Sequence, residues 1–282
     1  MIVSVMLHDR GDHPKLVPSA RVTRTKEMVS PTQNAQSAPT AAAVPADLPV
    51  YPLNQIAVQL TRGYWPDGKE RHFALQPGGS LTVDLSALSA DGATLARTAL
   101  QSWSSVTGIG FTETTFNAQI RFDEANAGAY SSSTIVNGII TSSYVNIAPS
   151  WLAIYGTTLD SYGFQTYLHE IGHALGLGHA GNYDVSAVYG VDNLYLNDSW
   201  QATLMSYFSQ TDNSFINASF ACAVTPMVAD IIAVQRLYGV GWLRVAIRSG
   251  GAARRRPGHW PCCLARFSAL IRRTRLFTVG MP

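Results

Sequence analysis

Residues 169–179 read His-Glu-Ile-Gly-His-Ala-Leu-Gly-Leu-Gly-His and contain three of the seven histidines in the 282-residue chain. His169 and His173 are four residues apart, so on a helix they lie on one face and can bind the same metal ion. Gly176 allows the chain to leave the helix in a left-handed turn, which can bring His179 back as a third ligand. Three histidine nitrogens with an open fourth position are typical of a catalytic zinc site.

Glu170 lies on the same helical turn as His169 and does not compete for the metal. A carboxylate in this position suits a general base that acts on metal-activated water, as in zinc hydrolases. We expect the helix to begin between Ser161 and Phe164 and to end at Gly176. A surface helix that is rich in histidine and binds no metal is the alternative interpretation.

The eleven residues resemble the catalytic motif of the metzincin metalloproteases. A metzincin also has a methionine turn downstream, and residues 203–208, Thr-Leu-Met-Ser-Tyr-Phe, resemble the form of this turn found in serralysins and astacins. Residues 178–183 (Gly-His-Ala-Gly-Asn-Tyr) and 230–239 (Asp-Ile-Ile-Ala-Val-Gln-Arg-Leu-Tyr-Gly) are similar to serralysins in particular. The resemblance extends from about Leu81 to Gly239.

This resemblance implies an α+β fold, the metzincin type of zincin, with a mixed, mostly parallel twisted sheet, a long active-site helix and a C-terminal subdomain helix. It also implies one catalytic zinc ion, held by the three histidines of the motif. In the methionine turn, Met205 would pack beneath the zinc without binding it. Tyr207 would be a switchable ligand whose hydroxyl stabilises the oxyanion. An ordinary buried aromatic residue is the alternative reading of Tyr207.

An edge strand that lines the active site and pairs with extended substrate is a further implication of the resemblance. Residues 143–148 alternate between polar and apolar side chains, and we assign them to the substrate cleft on this basis. They are Ser143, Tyr144, Val145, Asn146, Ile147 and Ala148. A plain edge strand with no role in binding is the alternative.

Local signals predict the other elements. Alternating side chains indicate strands, capping hydroxyls and an early proline indicate helix starts, and Asn-Gly tolerates the positive φ angles of a hairpin turn. The predicted elements are strands at 81–85 and around Ile120 and Phe122, a helix from about Asp91 to Val106 capped by Ser89, a hairpin turn at Asn137-Gly138, and a helix that starts at Thr225-Pro226 and ends at Gly239.

Composition divides the chain into three parts. Residues 1–50 are rich in Pro, Ala, Ser and Thr, which indicates a disordered leader or a propeptide-like segment. Residues 51–239 form the expected catalytic domain. Residues 240–282 hold nine of the 20 basic residues and no Asp or Glu, which leaves 11 basic against 18 acidic residues in the rest of the chain. This acidic balance argues against a nucleic-acid partner, and no apolar run is long enough to span a membrane.

The basic tail of residues 240–282 is atypical of the family and is not expected to form a folded domain. A serralysin continues there into calcium-binding repeats rich in Gly and Asp, and this sequence has none, so calcium is a doubtful cofactor. An out-of-frame or truncated coding sequence would explain such a tail, and the coding DNA would test this hypothesis. A basic arm that binds nucleic acid or membrane is the rival interpretation.

Two further features bear on processing and location. The three cysteines provide no disulfide framework, and none precedes residue 169, so no upstream thiolate can cap the metal. The N-terminus lacks the pattern of a secretory signal. An extracellular location is therefore an expectation from the family resemblance alone.

The sequence as a whole predicts a zinc-dependent endopeptidase that acts on proteins or peptides as a monomer. A folded, zinc-binding but inactive remnant of a serralysin-like protease is the alternative, because the repeats that follow the catalytic domain in the family are missing. A zinc-dependent adhesion or binding module is a third reading. Zinc analysis combined with a peptide-cleavage assay would distinguish them.

Overall fold

The computed structural model of the protein describes residues 21–24, as backbone, and residues 47–239. Seven strands form one sheet. They are β1 (Arg21–Arg24), β2 (His72–Phe73), β3 (Ser80–Asp84), β4 (Gly110–Glu113), β5 (Ile120–Asp123), β6 (Ala129–Val136) and β7 (Ile139–Ile147). Their order is β1-β6-β7-β5-β3-β4, with β2 also paired to β7. Only the β1–β6 and β6–β7 pairs are antiparallel among these, which confirms the mixed, mostly parallel sheet.

The predicted hairpin turn joins β6 to β7. Asn137 and Gly138 have φ angles of 53° and 84°, and two positive values in succession are what a type I′ turn requires. In β3 the side chains of Leu81 and Val83 are buried while their neighbours are more exposed, as the alternation predicted.

Five α-helices accompany the sheet in the described residues. They are α1 (Leu53–Val58), which continues as a π-helical turn over Gln59–Gly63, α2 (Ala90–Thr107), α3 (Pro149–Tyr155), α4 (Tyr162–Ala174) and α5 (Val228–Tyr238). The Ser89 hydroxyl accepts the Gly92 N–H at the start of α2, and the Ser161 hydroxyl accepts the Phe164 N–H at the start of α4. Both starts therefore lie where the sequence predicted them.

Helix α4 is buried along its whole length, because it packs against α2 on one side and against β6 and β7 on another. Trp103 of α2 is fully buried and donates its indole N–H to the carbonyl oxygen of Leu168 at 3.0 Å. The position of α4 is thus fixed by the core. None of the described helices is both long and apolar enough to cross a membrane.

Helix α5 begins later than predicted. Its first residue is Val228, and Met227 rather than Thr225 is the N-cap. The reason is tertiary: the Asp230 carboxylate accepts the backbone N–H of Met227 at 2.8 Å and that of Leu204 at 2.9 Å, so the helix start is fixed by its contact with the methionine turn. At the other end Gly239, with φ of 74°, closes the helix as predicted.

The predicted edge strand at residues 143–148 is wrong. These residues lie in β7 and just after it, and β7 is an inner strand with β5 on one side and β6 on the other. Its last residues and Ala148 are all buried, which suits a strand covered on both faces. The predictions for most of residues 1–50 and for the tail of residues 240–282 lie outside the described residues.

Candidate metal centre

Helix α4 carries the first two histidines, and Gly176 directs the third towards them. Gly176 has φ of 102°, a conformation that residues with a side chain rarely adopt. A Cβ atom there would also overlap the carbonyl oxygen of Arg71. The glycine thus allows the chain to leave α4 next to the Arg71 backbone, and the turn places His179 opposite His169 and His173.

The three imidazole rings converge in the protein interior. His169 and His179 are fully buried and His173 is 5% exposed. One nitrogen from each ring lies within 4.8 Å of the other two, and the Nε2 atoms of His173 and His179 are only 2.9 Å apart. Among the described residues no other three His, Cys, Asp or Glu side chains gather in this way.

A backbone carbonyl oxygen orients each ring. The Nδ1 atoms of His169, His173 and His179 lie 2.8 Å from the carbonyl oxygens of Leu204, Leu177 and Tyr183 respectively. A carbonyl can only accept, so each Nδ1 carries the proton in the tautomer that these contacts assign. Each Nε2 then presents its lone pair to the common centre, which is the usual arrangement of metal-binding histidines.

The electrostatics of the centre fit a cation. Burial lowers the pKa of His169 to about 4, and burial together with the neighbouring histidines lowers the pKa of His173 and His179 well below the usual value. The rings are therefore neutral near pH 7 and have no Nε2 proton to share. His169 Nε2 is buried without any hydrogen-bond partner. Three facing lone pairs repel one another unless a metal ion binds between them.

Two further polar groups at the centre lack partners. Glu170 is 1% exposed, its Oε2 atom has no hydrogen bond, and burial raises the pKa of its carboxyl well above the usual value. The hydroxyl of Tyr207 is also buried without a partner of normal geometry. Burial, and after it the charge of Glu170, raises the pKa of this phenol. The Tyr207 ring lies 4.5 Å from that of His179, so the structure brings both predicted residues to the metal centre.

Met205 lies against α4. It is fully buried, and a Cβ atom on Gly172 would come within 2.8 Å of its sulfur, so the helix can approach only because residue 172 is a glycine. The carbonyl oxygen of Met205 accepts the N–H of Ala180 at 3.0 Å, next to the third histidine. The methionine turn therefore contacts both the helix and the loop that carry the histidines.

Sequence reasoning missed Tyr64. Its ring stands edge-on to His179 at 5.0 Å between centroids. The π-helical turn, closed by a hydrogen bond from Tyr64 N–H to the Gln59 carbonyl at 2.9 Å, places it there. Gly178 leaves the room, since a Cβ atom at that position would overlap the tyrosine side chain. No local pattern in the sequence links this residue to the histidines.

Asp230 was also missed as part of the centre. Its buried carboxylate accepts the Leu204 N–H and the Thr203 hydroxyl, and the Leu204 carbonyl in turn orients His169. Burial raises the pKa of Asp230 to about 6, since no ion pair involving it exists among the described residues. The carboxylate thereby fixes the methionine turn behind the first histidine.

Ser143 and Asn146, two of the six residues assigned to the cleft, make hydrogen bonds within the fold. Ser143 donates its hydroxyl to the carbonyl of Ala174 at the end of α4, and the Asn146 amide bonds to backbone carbonyls of the loop before β6. Strands β6 and β7 both reach the centre, since Ser132 and Ile135 of β6 and Ile140 of β7 line a small cavity together with His173 and Gly176. The outer edge of β6 pairs with β1.

Comparisons with known proteins agree with this centre. The model of the reprolysin-like metallopeptidase family M12B matches residues 80–234. Serralysin C and serralysin A of Dickeya chrysanthemi are 34% and 37% identical over 158 and 155 residues, and metallopeptidase AprA of Pseudomonas marginalis is 36% identical over 159 residues. Each alignment covers 51% of this chain and 32–33% of the relative, so the chain spans about a third of the length of these relatives.

Solved structures of myroilysin show a weaker likeness. Two of them align with TM-scores of 0.33 and 0.37 at 19% and 18% identity, over 64% and 76% of this chain and 97% and 99% of their own chains. TM-scores this low do not establish a shared fold with the present chain.

Proposed function

Because the chain belongs to the reprolysin-like metallopeptidases of family M12B, we propose that it is a zinc-dependent endopeptidase with Glu170 as its general base. The observation that carries the proposal is the convergence of three neutral imidazoles, whose Nε2 atoms face one another while backbone carbonyls hold each Nδ1. Three nitrogen ligands with a free fourth position favour zinc among the common metals.

His169, His173 and His179 would hold the ion. When bound, zinc supplies Lewis acidity, which lowers the pKa of a water molecule towards 7 and polarises a carbonyl group. The histidines contribute no charge of their own, because they are neutral in this tautomer. The ion therefore keeps its full charge, which suits a site that must activate a weak nucleophile at neutral pH.

Glu170 would transfer the proton. Its carboxylate takes a proton from the attacking water and delivers it to the amine nitrogen that leaves when the peptide bond breaks. A base with an ordinary carboxyl pKa would bind this proton weakly at neutral pH. Burial of Glu170 raises its pKa and so brings its proton affinity closer to the working pH.

Tyr207 would stabilise the transition state. Its unpartnered hydroxyl can donate a hydrogen bond to the negatively charged oxygen that develops on the scissile carbonyl. The raised pKa keeps the phenol protonated at neutral pH, as a donor must be. Its ring lies 4.5 Å from that of His179, next to the three histidines that would hold the ion.

Substitution of Glu170 tests the mechanism. Glu170→Ala is expected to retain one zinc per chain and to lower kcat/KM for casein or a fluorogenic peptide by about 10²–10⁴-fold, the usual contribution of a general base. Glu113→Gln is the matched control, since Glu113 lies on the surface in an ion pair with Arg97. Full activity of Glu170→Ala would refute the role of the base.

Metal removal separates the proposal from its alternative. Dialysis of the full chain against a chelator should abolish cleavage, and stoichiometric zinc should restore it. A chain that binds one zinc but cleaves no peptide, even after residues 1–50 are removed, would instead be the inactive zinc-binding protein considered above.

Substrate class, assembly and location are parts of the same proposal. We infer protein or peptide substrates and action as a monomer outside the cell, on the strength of the family and its serralysin relatives. Sedimentation at several concentrations tests the monomer, and assay of culture supernatant against cell lysate tests the location.

A further inference from the structure

Tyr183 connects the third histidine to the methionine turn. Its carbonyl oxygen accepts the hydrogen bond from His179 Nδ1 at 2.8 Å. Its hydroxyl oxygen accepts the backbone N–H of Tyr207 at 3.3 Å and donates its proton to the carboxylate of Asp198, at 3.1 and 3.2 Å from the two oxygens. Two different atoms of one residue thus contact a candidate ligand and the candidate oxyanion donor.

Asp198 is buried in an unusual setting. Its side chain has no exposed surface, and no ion pair involving it exists within residues 47–239. A buried carboxylate without a cation destabilises the fold unless hydrogen bonds compensate. The Tyr183 hydroxyl provides this compensation, since it lies within hydrogen-bond distance of both carboxylate oxygens. The carboxylate therefore fixes the hydroxyl that accepts the Tyr207 N–H.

The direction of the hydrogen bond between Tyr183 and Asp198 determines whether the Tyr183 oxygen can accept the Tyr207 N–H. Because Asp198 accepts the proton of the Tyr183 hydroxyl, the lone pairs of that oxygen remain available to the Tyr207 N–H. The rings support the same arrangement, since those of Tyr183 and Tyr207 lie 4.8 Å apart and that of Tyr183 also stacks on His179 at 5.7 Å. This contact links the Tyr207 backbone to the buried carboxylate of Asp198 through one hydroxyl.

We propose that Tyr183 and Asp198 are positioning residues that set where the Tyr207 hydroxyl lies relative to the three histidines. The inference rests on the proposed function, in which this hydroxyl stabilises the oxyanion. Tyr183→Phe isolates the effect, because phenylalanine keeps the ring and the backbone carbonyl that orients His179. Only the hydroxyl is lost, and with it the acceptor for the Tyr207 N–H.

The first measurement reports position and is independent of activity. Tyrosines labelled with ¹³C at Cζ are observed by NMR in the full chain without metal, and the Tyr207 signal is identified by its loss in Tyr207→Phe. Tyr183→Phe is expected to shift this signal. Tyr189→Phe is the matched control, because its hydroxyl bonds to the Leu196 carbonyl and should leave the signal unchanged.

The second measurement is a double-mutant cycle on the zinc-loaded chain. Tyr183→Phe should keep one zinc per chain and KM within about twofold, while kcat falls by about tenfold, less than the 10²-fold that a 1 Å misplacement can cause. In the Tyr207→Phe background the same substitution should change kcat by less than about twofold, because the hydroxyl it positions is already absent.

An unmoved Tyr207 signal in Tyr183→Phe overturns the proposal, whatever the activity. Equal losses of kcat in both backgrounds also overturn it, since the effect would then not pass through Tyr207. If Tyr207→Phe alone leaves kcat unchanged, the oxyanion role in the proposed function fails, while the NMR shift still decides the positioning. Should Tyr183→Phe not fold, Asp198→Ala removes the acceptor on the other side of the hydroxyl and provides the same NMR test.

Discussion

Replacement of Gly176 by alanine should destabilise the protein through two separate effects. A residue with a side chain at φ of 102° is strained by about 1–3 kcal/mol. Its Cβ atom would also overlap the Arg71 carbonyl oxygen and lie 2.7 Å from the carbonyl carbon, where about 3.5 Å is the normal contact. One backbone must then move by about 1 Å, and such overpacking adds about 1–3 kcal/mol. We expect the free energy of unfolding to fall by about 2–6 kcal/mol.

Gly68→Ala is the matched control for the first effect. Gly68 also has a positive φ, of 64°, but no atom lies within 4 Å of the position its Cβ would occupy. Its substitution should therefore lower the free energy of unfolding by only about 1–2 kcal/mol. The difference between the two variants reports mainly the steric overlap with Arg71.

Urea unfolding followed by tryptophan fluorescence measures both free energies, and metal analysis reports the centre. Gly176→Ala should also bind zinc more weakly, because the displaced turn carries His179 and the Leu177 carbonyl that orients His173. Gly68→Ala should bind zinc normally. The reasoning is refuted if the two variants unfold within about 1 kcal/mol of each other and both retain full zinc.

Two further predictions concern the surroundings of the centre. Burial raises the pKa of Asp198 to about 7. The folded chain therefore binds this proton more tightly than the unfolded chain, and the stability gained in this way is full below about pH 4 and lost as the pH rises to about 7. Asp198→Asn cannot ionise at this position. Its free energy of unfolding, measured relative to that of the natural chain, should therefore rise by about 2–3 kcal/mol from pH 5 to pH 8. Parallel pH profiles of the two proteins would contradict this. Gly178→Ala should cost about 1–3 kcal/mol by overlap with Tyr64, and much less in a Tyr64→Gly background. Equal costs in both backgrounds would place the clash elsewhere.

Sequence reasoning located the histidines of α4 and the starts of α2 and α4, because these depend on neighbours along the chain. A four-residue spacing places His169 and His173 on one helical face in any fold. The Ser161 hydroxyl caps a backbone N–H three residues away, and Asn137-Gly138 adopts its turn from its own φ preferences. Such features are determined locally, so the structure reproduces them.

The rest of the centre depends on contacts between distant parts of the chain. Tyr64 contacts His179 because of a π-helical turn that no residue pattern predicts. Asp230 determines the start of α5 through its contact with the methionine turn, and the local capping signal at Thr225 does not. The misplaced edge strand has the same origin, because alternation along β7 does not reveal its neighbours. Only the structure shows that residues 145–148 are buried without interruption, as an inner strand requires.

The oxygens that hold the three imidazoles belong to the main chain, and this determines which substitutions the centre tolerates. A substitution at position 177, 183 or 204 that leaves the backbone in place still provides the acceptor, because every residue has a carbonyl. The orientation of the three rings is therefore determined by the backbone conformation and not by the identity of those side chains. Tyr183→Phe therefore keeps the acceptor for His179, whereas an insertion or deletion between residues 173 and 204 would shift the acceptors and misdirect the rings.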